Sequence, residues 1–391
     1  MKSQYIGLAG YEVQEIDQKV DLVQIKALFD KRPTHCVRCG SSQLVSKGPY
    51  SRAVRHLKSY GTPSRLKVTT RRWQCKKCRR TFVPMLPGIL PGQRFSMPLR
   101  REIYQDHHDG ICASRLARRM EIGHATVGRI YSQFTYLKAQ ERKYQTCPQV
   151  LGIDEHTLHK GRKFVTTFCN IKKHKVFEVL QGKSSADLAS FLSSLKGRHK
   201  VKVICIDLSS SYRHLLKKWF PNAYIVADRF HVVRIVQHHF LKFCRQLVPE
   251  IKNQRGLINA LRKNPENLNE LDKERLESLF KAHPAMKQLY EKQLEVRQLL
   301  NLKHQAKNSC REHSKKYFQL IKELLDCGLE SMETLANTLK EWAEEIGRMW
   351  RFSKNNGVTE GFHRKMKLIQ RCAYGFRNFE NYRLRVIAHC G

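Results

Sequence analysis

The sequence predicts a multidomain α/β protein, and three observations support this fold class. Two Cys-x-x-Cys pairs lie among strand-like runs in residues 1–92. Short apolar, β-branched runs alternate with helical patterns in residues 148–240, as expected for a sheet covered by helices. Residues 241–353 then follow a charged and almost continuous helical pattern. The chain has 391 residues and 41% hydrophobic content, which is enough for more than one core.

The charge of the chain indicates a polyanionic partner. There are 73 Lys and Arg against 34 Asp and Glu, a formal net charge of +39. Such an excess repels itself unless it is neutralised, so we expect binding to double-stranded DNA, with a membrane surface as the weaker alternative. No run reaches the roughly 18 apolar residues of a membrane span, and the N-terminus lacks the order of a signal peptide. We therefore expect a cytoplasmic, nucleoid-associated protein without a membrane partner.

The cysteines fall into two classes. Nine of the thirteen are scattered without regular spacing, which favours reduced thiols over a disulfide framework. The other four form two Cys-x-x-Cys pairs, whose turns can direct four thiolates at one tetrahedral zinc ion. Redox pairs and coincidence are the alternatives, and the spacing favours a structural zinc ribbon over residues 1–92. The predicted ligands are Cys36, Cys39, Cys75 and Cys78.

Two further features belong to this N-terminal zone. Its end, FVPMLPGILPGQ, is rich in proline and predicts a linker. Basic side chains crowd the second cysteine pair. Such a cluster is often only a solvated face, but under this net charge we expect it to contact DNA phosphate. The residues concerned are Arg71, Arg72, Lys76 and Lys77, with Arg79 and Arg80 beside them.

Residues 93–147 contain CASRLARRMEIGHATVGRIYSQF, which predicts a helix, a tight turn at Gly123 and a second helix. In a helix-turn-helix, the second helix enters the major groove and presents its first polar residues to base edges. Here those residues are His124, Thr126 and Arg129. Many helical hairpins share this pattern without touching DNA. Beside a zinc ribbon and under this charge, we expect a DNA-binding region.

Three acidic residues predict a metal-dependent catalytic site. Asp154 closes the run VLGID, Asp207 closes VKVICID, and Glu360 opens a helical pattern. Carboxylates at the ends of central strands converge in a crevice and can hold divalent cations against a phosphodiester. Taken singly, each has another explanation, because Asp207 could cap the helix after it and an acid near a helix start favours the dipole. Their combination favours a metal site.

Two helical patterns complete the chain. In residues 241–353 five apolar residues recur at steps of four and three and predict one buried helix face: Leu335, Leu339, Trp342, Ile346 and Met349. Residues 354–391 predict a basic amphipathic helix on which Glu360 begins a row of cations. Such a row suits a helix that lies along DNA, and a solvated charged face is the alternative. The cations are Arg364, Lys367 and Arg371.

Together these motifs resemble a DDE transposase with a ribonuclease-H-like core, and more closely the ISL-three family of bacterial insertion-sequence transposases. The resemblance covers nearly the whole chain. It is carried by HCVRCGS, WQCKKC, the helix-turn-helix, LGIDEHTLHKGRKFVTT, CIDLSSSYR, ADRFHVV and TEGFHRKMKLIQRCAYGFRNFENYRLRV. It implies that Asp154, Asp207 and Glu360 are the catalytic acids. His363 departs from it, since it stands where the E-G-x-N pattern has Asn.

The resemblance also implies an arrangement of domains. Residues 148–240 and 354–391 would form a mixed-sheet core that an all-α insertion, 241–353, interrupts. The first and fourth strands of that core would be neighbours, with the fifth beyond. A fifth-strand residue then starts roughly 10 Å from the first strand, so Asp207 is preferred to Asp228 as the second ligand. Asp228 and His231 are expected to orient the site or to contact DNA.

The expected activity is metal-dependent strand cleavage at terminal inverted repeats, followed by strand transfer into target DNA. Two Mg²⁺ or Mn²⁺ ions would serve the reaction, and zinc would be structural. Handling two DNA ends implies a homodimer or a larger assembly. The alternatives are a ribonuclease-H-like nuclease or resolvase, and a non-catalytic DNA-binding regulator derived from a transposase.

Overall fold

The computed structural model describes residues 6–142, 145–159, 163–352 and 357–391. The chain divides into two compact units, Met1–Leu137 and Lys138–Gly391. The boundary that the sequence predicts between residues 353 and 354 lies outside the described residues.

The first unit contains a five-stranded sheet in the order β1-β2-β4-β3, with β5 paired to β4. Strands β3 and β4 form a long hairpin whose two turn residues, Tyr60 and Gly61, have φ of 49° and 82°. Two positive φ values in a two-residue loop are the geometry that matches the twist of a hairpin. The strands are β1 (Glu12–Gln18), β2 (Val23–Leu28), β3 (Leu44–Ser59), β4 (Thr62–Cys75) and β5 (Thr81–Phe82).

The core of this sheet follows from alternation along β2, where every second residue is buried. These side chains pack with Leu66 and Val68 of β4. Leu86 and Ile89 join the same cluster and are 6% and 2% exposed. The proline-rich segment predicted as a linker is therefore packed into the N-terminal core.

Three helices follow: α1 (Met97–His108), α2 (Ala113–Met120) and α3 (His124–Glu141). Ser96 caps α1, and its side chain accepts a hydrogen bond from the Leu99 amide. The predicted pair of helices with a short turn is present, but the turn differs from the expectation. Glu121, and not Gly123, takes the left-handed conformation, with φ of 51°. The carbonyl of Gly123 instead accepts a hydrogen bond from the Thr126 amide at the start of α3.

The second unit contains a sheet in the order β10-β9-β6-β7-β8. Strands β10, β9 and β6 are parallel, and β7 and β8 are antiparallel to their neighbours. The predicted succession of three strands, helix, strand, helix and strand is confirmed. The elements are β6 (Val150–His159), β7 (Lys163–Asn170), β8 (Lys175–Gln181), α4 (Ser185–Ser194), β9 (Val203–Ile206), α5 (Ser210–Trp219) and β10 (Tyr224–Ala227).

Both faces of this sheet are covered, since all four residues of β9 are buried. On one face Ile153 and Phe168 pack with the helices that follow the strands. On the other, Val165 and Cys169 pack against the last two helices of the chain. The remaining helices are α6 (Arg229–Leu247), α7 (Arg255–Arg262), α8 (Glu270–Ala282), α9 (Pro284–Asn301), α10 (Lys307–Asp326), α11 (Glu330–Glu341), α12 (Ala343–Arg351), α13 (Gly357–Cys372) and α14 (Phe379–Cys390).

Two helix predictions need correction. The five apolar residues from Leu335 to Met349 are all buried, as predicted, but they do not lie on one helix. The first two belong to α11 and the last two to α12, and Trp342 lies at the break between these helices. The C-terminal pattern is likewise two helices, α13 and α14. Between them the backbone turns at Tyr374 and Gly375, which have φ of 54° and 92°.

Candidate active site and metal centre

The four predicted zinc ligands come together in the first unit. Cys36 and Cys39 lie on the loop between β2 and β3, while Cys75 ends β4 and Cys78 lies in the turn before β5. Their sulfur atoms form cross-loop pairs, each 3.6 Å apart: Cys36 with Cys78, and Cys39 with Cys75. Sulfurs bonded to one tetrahedral zinc at about 2.3 Å lie about 3.8 Å from one another. The cluster therefore fits a zinc ion.

The two cysteine loops share one backbone geometry. In each, the amide of the first cysteine donates to the carbonyl five residues later, at 2.8 Å to Ser41 and 3.0 Å to Arg80. In each, the fourth residue after that cysteine is left-handed, namely Gly40 with φ of 70° and Arg79 with φ of 55°. Loops of this kind bring backbone amides to the sulfur atoms. Hydrogen bonds from the backbone amides of Arg38 and Cys39 are the main effects that lower the pKa of Cys36 to about 6, which favours the thiolate that a metal binds.

Three aspartates align across the parallel strands of the second unit. Gly152 of β6 pairs with Cys205 of β9, so two residues further Asp154 stands beside Asp207. Ala227 of β10 pairs with Ile206, so Asp228 stands on the other side of Asp207. The Asp228 amide donates to the Ile206 carbonyl at 2.6 Å. Asp207 and Asp228 directly follow the last residues of β9 and β10, whereas Asp154 lies within β6, which continues to His159. Residues in register on neighbouring strands project to the same face, so the register places these three acids next to one another across the sheet.

Helix α13 covers the face to which Asp154 projects. His363, on this helix, places Nδ1 3.5 Å from Oδ2 of Asp154. Glu360 lies three residues earlier on the same helix, which is close to one turn. Its charge raises the pKa of His363 against the larger opposing effect of burial. Glu360 is thus brought to the Asp154 end of the sheet, with 41% of its side chain exposed.

The electrostatics of these three aspartates favour a cation. The pKa of Asp154 is raised to about 6, mainly by burial, and the neighbouring charges of Asp207 and Asp228 contribute in the same direction. Burial also raises the pKa of Asp207, where Asp228 again adds to the shift. His231 on α6 lies with Nε2 3.6 Å from Oδ2 of Asp228 and opposes both shifts. A divalent cation would lower the pKa of both aspartates, as His231 does, and its larger charge would have a stronger effect.

The spacing of these acidic side chains differs from that of the cysteines. Within the part of the chain that the structure describes, the four cysteines are the one group of three or more Cys, His, Asp or Glu side chains with ligand atoms all within 4.8 Å. The three predicted acids do not converge that closely. Asp207 also does not cap α5, because Ser209 occupies the N-cap position.

A buried polar chain, not anticipated from the sequence, continues behind Asp154. Nε2 of His363 lies 3.3 Å from Oγ1 of Thr167, and Thr167 lies 3.5 Å from Nδ1 of His156. Nε2 of His156 is 2.8 Å from the hydroxyl of Tyr382 on α14. His156 follows Asp154 by two residues on one strand, so alternation could have placed it on the same face.

Burial sets the charge of this polar chain. It lowers the pKa of His156 to about 3 and that of His363 to about 4. Both rings are therefore neutral near pH 7. A neutral imidazole keeps one N–H, so His363 can donate from Nδ1 to the carboxylate of Asp154 while Nε2 accepts from Thr167.

The basic residues predicted to meet DNA lie at the surface. On α13 the three predicted cations are exposed, and Arg364 pairs with Glu360 at 2.9 Å. On α3 His124 and Arg129 are exposed, and Arg129 donates to Oγ1 of Thr126 at 3.1 Å. The cations beside the second cysteine pair are also exposed: Arg71, Arg72, Lys76 and Lys77.

Comparison with known proteins decides the family. Residues 151–386 match the family model of the ISL3-type DDE domain, which is described as a transposase. The chain belongs to the ISL3 family of DDE transposases. Residues 32–78 of this transposase match a second model, the zinc-finger of transposase IS204/IS1001/IS1096/IS1165. The family predicted from the motifs is thereby confirmed.

One curated relative spans the transposase almost end to end. It is the transposase for insertion sequence element IS1001 from Bordetella parapertussis, 25% identical over 399 aligned residues, which cover 98% of this chain and 96% of the relative. The protein is therefore an insertion-sequence transposase of the DDE class, an enzyme that cuts and transfers DNA strands. Among its described helices, none is long and apolar enough to cross a membrane.

Proposed function

We propose that Asp154, Asp207 and Glu360 are the catalytic acids of this transposase and that they bind two divalent cations, Mg²⁺ or Mn²⁺. The contact of His363 with Asp154 carries this proposal, because it joins the helix of Glu360 to the strand that stands in register with Asp207. Asp154 and Glu360 are 206 positions apart in the chain, and the packing of α13 on β6 supports their assignment to one site.

Bound at these acids, the cations would activate the attacking oxygen and stabilise the leaving oxygen of a phosphodiester. The protein's own groups prepare that site. The parallel register holds Asp154 and Asp207 side by side, and His363 limits the orientation of the Asp154 carboxylate. Water would first cleave the strand at the element end and free a 3′-hydroxyl, which would then attack target DNA. No bond between protein and DNA is needed.

The sheet of the second unit supports assignment to a ribonuclease-H-like core. Its first three strands are consecutive and antiparallel, and the fourth and fifth add in parallel beside the first. We propose that residues 148–240 and 354–391 form this core and that 241–353 is a helical insertion. Residues 1–92 would be a zinc ribbon and 93–147 a helix-turn-helix, which together would recognise the terminal inverted repeats.

The DNA partners would be the two element ends and the target, held by a homodimer or a larger assembly. On this proposal His124, Thr126 and Arg129 face base edges, while Arg364, Lys367 and Arg371 contact backbone along α13. Asp228 and His231 would orient the metal-binding acids. Asp228 supports this role because it stands next to Asp207 in the strand register.

The test uses purified full-length protein, Mg²⁺ and an oligonucleotide that carries the element terminus. We expect a metal-dependent nick at the boundary of the element. Asp154→Asn, Asp207→Asn and Glu360→Gln should abolish the nick and leave binding to the terminus largely intact. The matched control is Asp326→Asn, an exposed acid on α10, which should cleave normally.

Three outcomes would overturn parts of the proposal. Retained cleavage by Asp207→Asn would transfer the role of second ligand to Asp228. Retained cleavage by Glu360→Gln would remove Glu360 from the site. Tight binding of the terminus by the wild type without any nick, at all concentrations of Mg²⁺ and Mn²⁺, would overturn the proposal that these acids bind the catalytic cations.

A further inference from the structure

The first unit contains a basic cleft beside α3, and the proposed function assigns no role to most of its basic residues. It has a volume of about 1030 Å³ and lies between the β3–β4 hairpin, the segment before α1, and helices α1 and α3. Among the residues that the structure describes, five arginines line it and one carboxylate, that of Glu121, does so. The arginines are Arg55, Arg65, Arg94, Arg100 and Arg129.

Arg100 is the most informative of these residues because it is buried without a counter-ion. Its exposed fraction is 4%, and burial lowers its pKa. Nη1 donates to Oε1 of Gln93 at 2.8 Å and Nη2 donates to Oε1 of Gln133. Within the described residues, its Nε atom has no hydrogen-bond partner, and no carboxylate pairs with the guanidinium. An uncompensated buried charge is costly, so an anion in the cleft would stabilise it.

The one carboxylate in the cleft is already engaged. Arg55 donates to the carbonyls of Met120 and Glu121, at 2.7 and 2.8 Å, and so binds the hairpin to the C-terminus of α2. Its guanidinium also lies 3.9 Å from the Glu121 carboxylate. Arg65 and Arg94 are exposed, and no acid among the described residues pairs with them. The cleft therefore keeps a large excess of positive charge.

We propose that this cleft binds the sugar-phosphate backbone of DNA. Its size favours this occupant over a free anion, since a water molecule in liquid occupies about 30 Å³ and a single inorganic ion would fill little of the cleft. Its position favours DNA as well, because Thr126 and Arg129 of α3 form part of its wall. The strand held here would flank the base pairs that α3 is proposed to read. This inference rests on the proposed DNA-binding role of the first unit.

The salt dependence of binding tests the cleft. Each phosphate contact on duplex DNA contributes about 0.9 to the slope of log K against log salt. In fluorescence anisotropy with the full-length protein, Arg94→Gln and Arg65→Gln should each lower that slope by about one, for specific and random duplexes alike. Arg101→Gln is the matched control, since Arg101 is exposed, follows Arg100 on α1 and lies outside the cleft. It should leave the slope unchanged.

Thermal unfolding provides a second measurement that does not depend on exposed charge. A random duplex should raise the Tm of the wild type and raise that of Arg100→Met less, because a ligand stabilises only the state that binds it. Inorganic phosphate should not reproduce the effect of the duplex at equal phosphate concentration. If it does, and if it displaces no DNA, the cleft is a free-anion site and the proposal is wrong.

The cleft and the proposed chemistry can fail separately. Unchanged slopes for Arg65→Gln and Arg94→Gln, in protein that still nicks the element terminus, would overturn the cleft and leave the transposase mechanism standing. Reduced slopes in protein that never nicks DNA would support the cleft and overturn the proposed function.

Discussion

Nδ1 of His363 lies 3.5 Å from Oδ2 of Asp154. This contact joins α13 to the central strand of the second sheet across about 200 residues of chain. Both side chains are nearly buried, at 11% and 13% exposed. The ring of His363 thus faces the carboxylate of Asp154 from α13.

This contact predicts that His363 positions Asp154 without itself touching the reacting atoms. His363→Leu should lower metal-dependent nicking by about 10-fold to 100-fold and raise the Mn²⁺ concentration needed for half-maximal rate, as loss of such supporting hydrogen bonds generally does. His363→Asn keeps a donor of similar reach and should recover most of the rate. Cleavage is measured at a series of Mn²⁺ concentrations. Equal defects in the Leu and Asn proteins would show that packing, and not the hydrogen bond, matters.

The hydroxyl of Tyr382 ends the buried polar chain and should contribute to stability more than to cleavage. Tyr382→Phe leaves Nε2 of His156 without this partner, so we expect a loss of about 1 to 2 kcal/mol in the free energy of unfolding. Nicking should change by only a few fold, because His363 keeps its contact with Asp154. Urea denaturation gives the first quantity. Tyr374→Phe, at an exposed turn, is the control and should change neither.

Removal of zinc should unfold the cysteine loops and abolish DNA binding by the first unit. The hydrophobic cluster around the cysteines contains few buried residues beyond them, mainly Leu44 and Trp73, so the metal would supply much of the local stability. Cys39→Ser should contain less than one zinc per chain by metal analysis and bind the element terminus weakly. Cys327→Ser, at an exposed cysteine of the second unit, should match the wild type. Full DNA binding after complete chelation would contradict a structural zinc.

His56 should make the stability of the first unit depend on pH. Its ring is buried, with Nδ1 2.8 Å from Oγ of Ser96 and Nε2 3.0 Å from the carbonyl of Ile6. Burial lowers its pKa below the usual value near 6.5. The unfolded chain therefore binds the proton more readily, and this stability is present above about pH 6.5 and is lost as the pH falls below it.

The measurement compares thermal unfolding of the full chain at pH 7.5 and pH 5.5. The wild type should lose more stability on acidification than His56→Gln, whose amide carries no titrating proton. His199→Gln, at an exposed position, should follow the wild type. An equal loss in the wild type and in His56→Gln would exclude His56 as the group responsible.

Local sequence patterns are sufficient to predict several features of this fold and site. The cysteine spacing identified the metal cluster, because ligand pairs on one turn are a local property. The alternation of apolar runs predicted the order of strands and helices in residues 148–240. Asp154 and Asp207 were recognisable because each follows a buried run. The wrong or missing features were those that local pattern does not control, such as the break at Trp342 and the left-handed Glu121.

Contacts between segments that are distant in the chain could not be predicted from the sequence. The composition of the proline-rich segment predicts a linker, but Leu86 and Ile89 pack into the N-terminal core. The register that aligns Asp228 with Asp207, and the face of α13 that brings His363 to Asp154, depend on how strands pair and helices pack. Such packing depends on the burial of many side chains together, so no single sequence motif predicts it. The sequence alone determines the residue types and their local periodicity. The residues that neighbour each carboxylate are determined by the tertiary structure, because strand pairing brings them together.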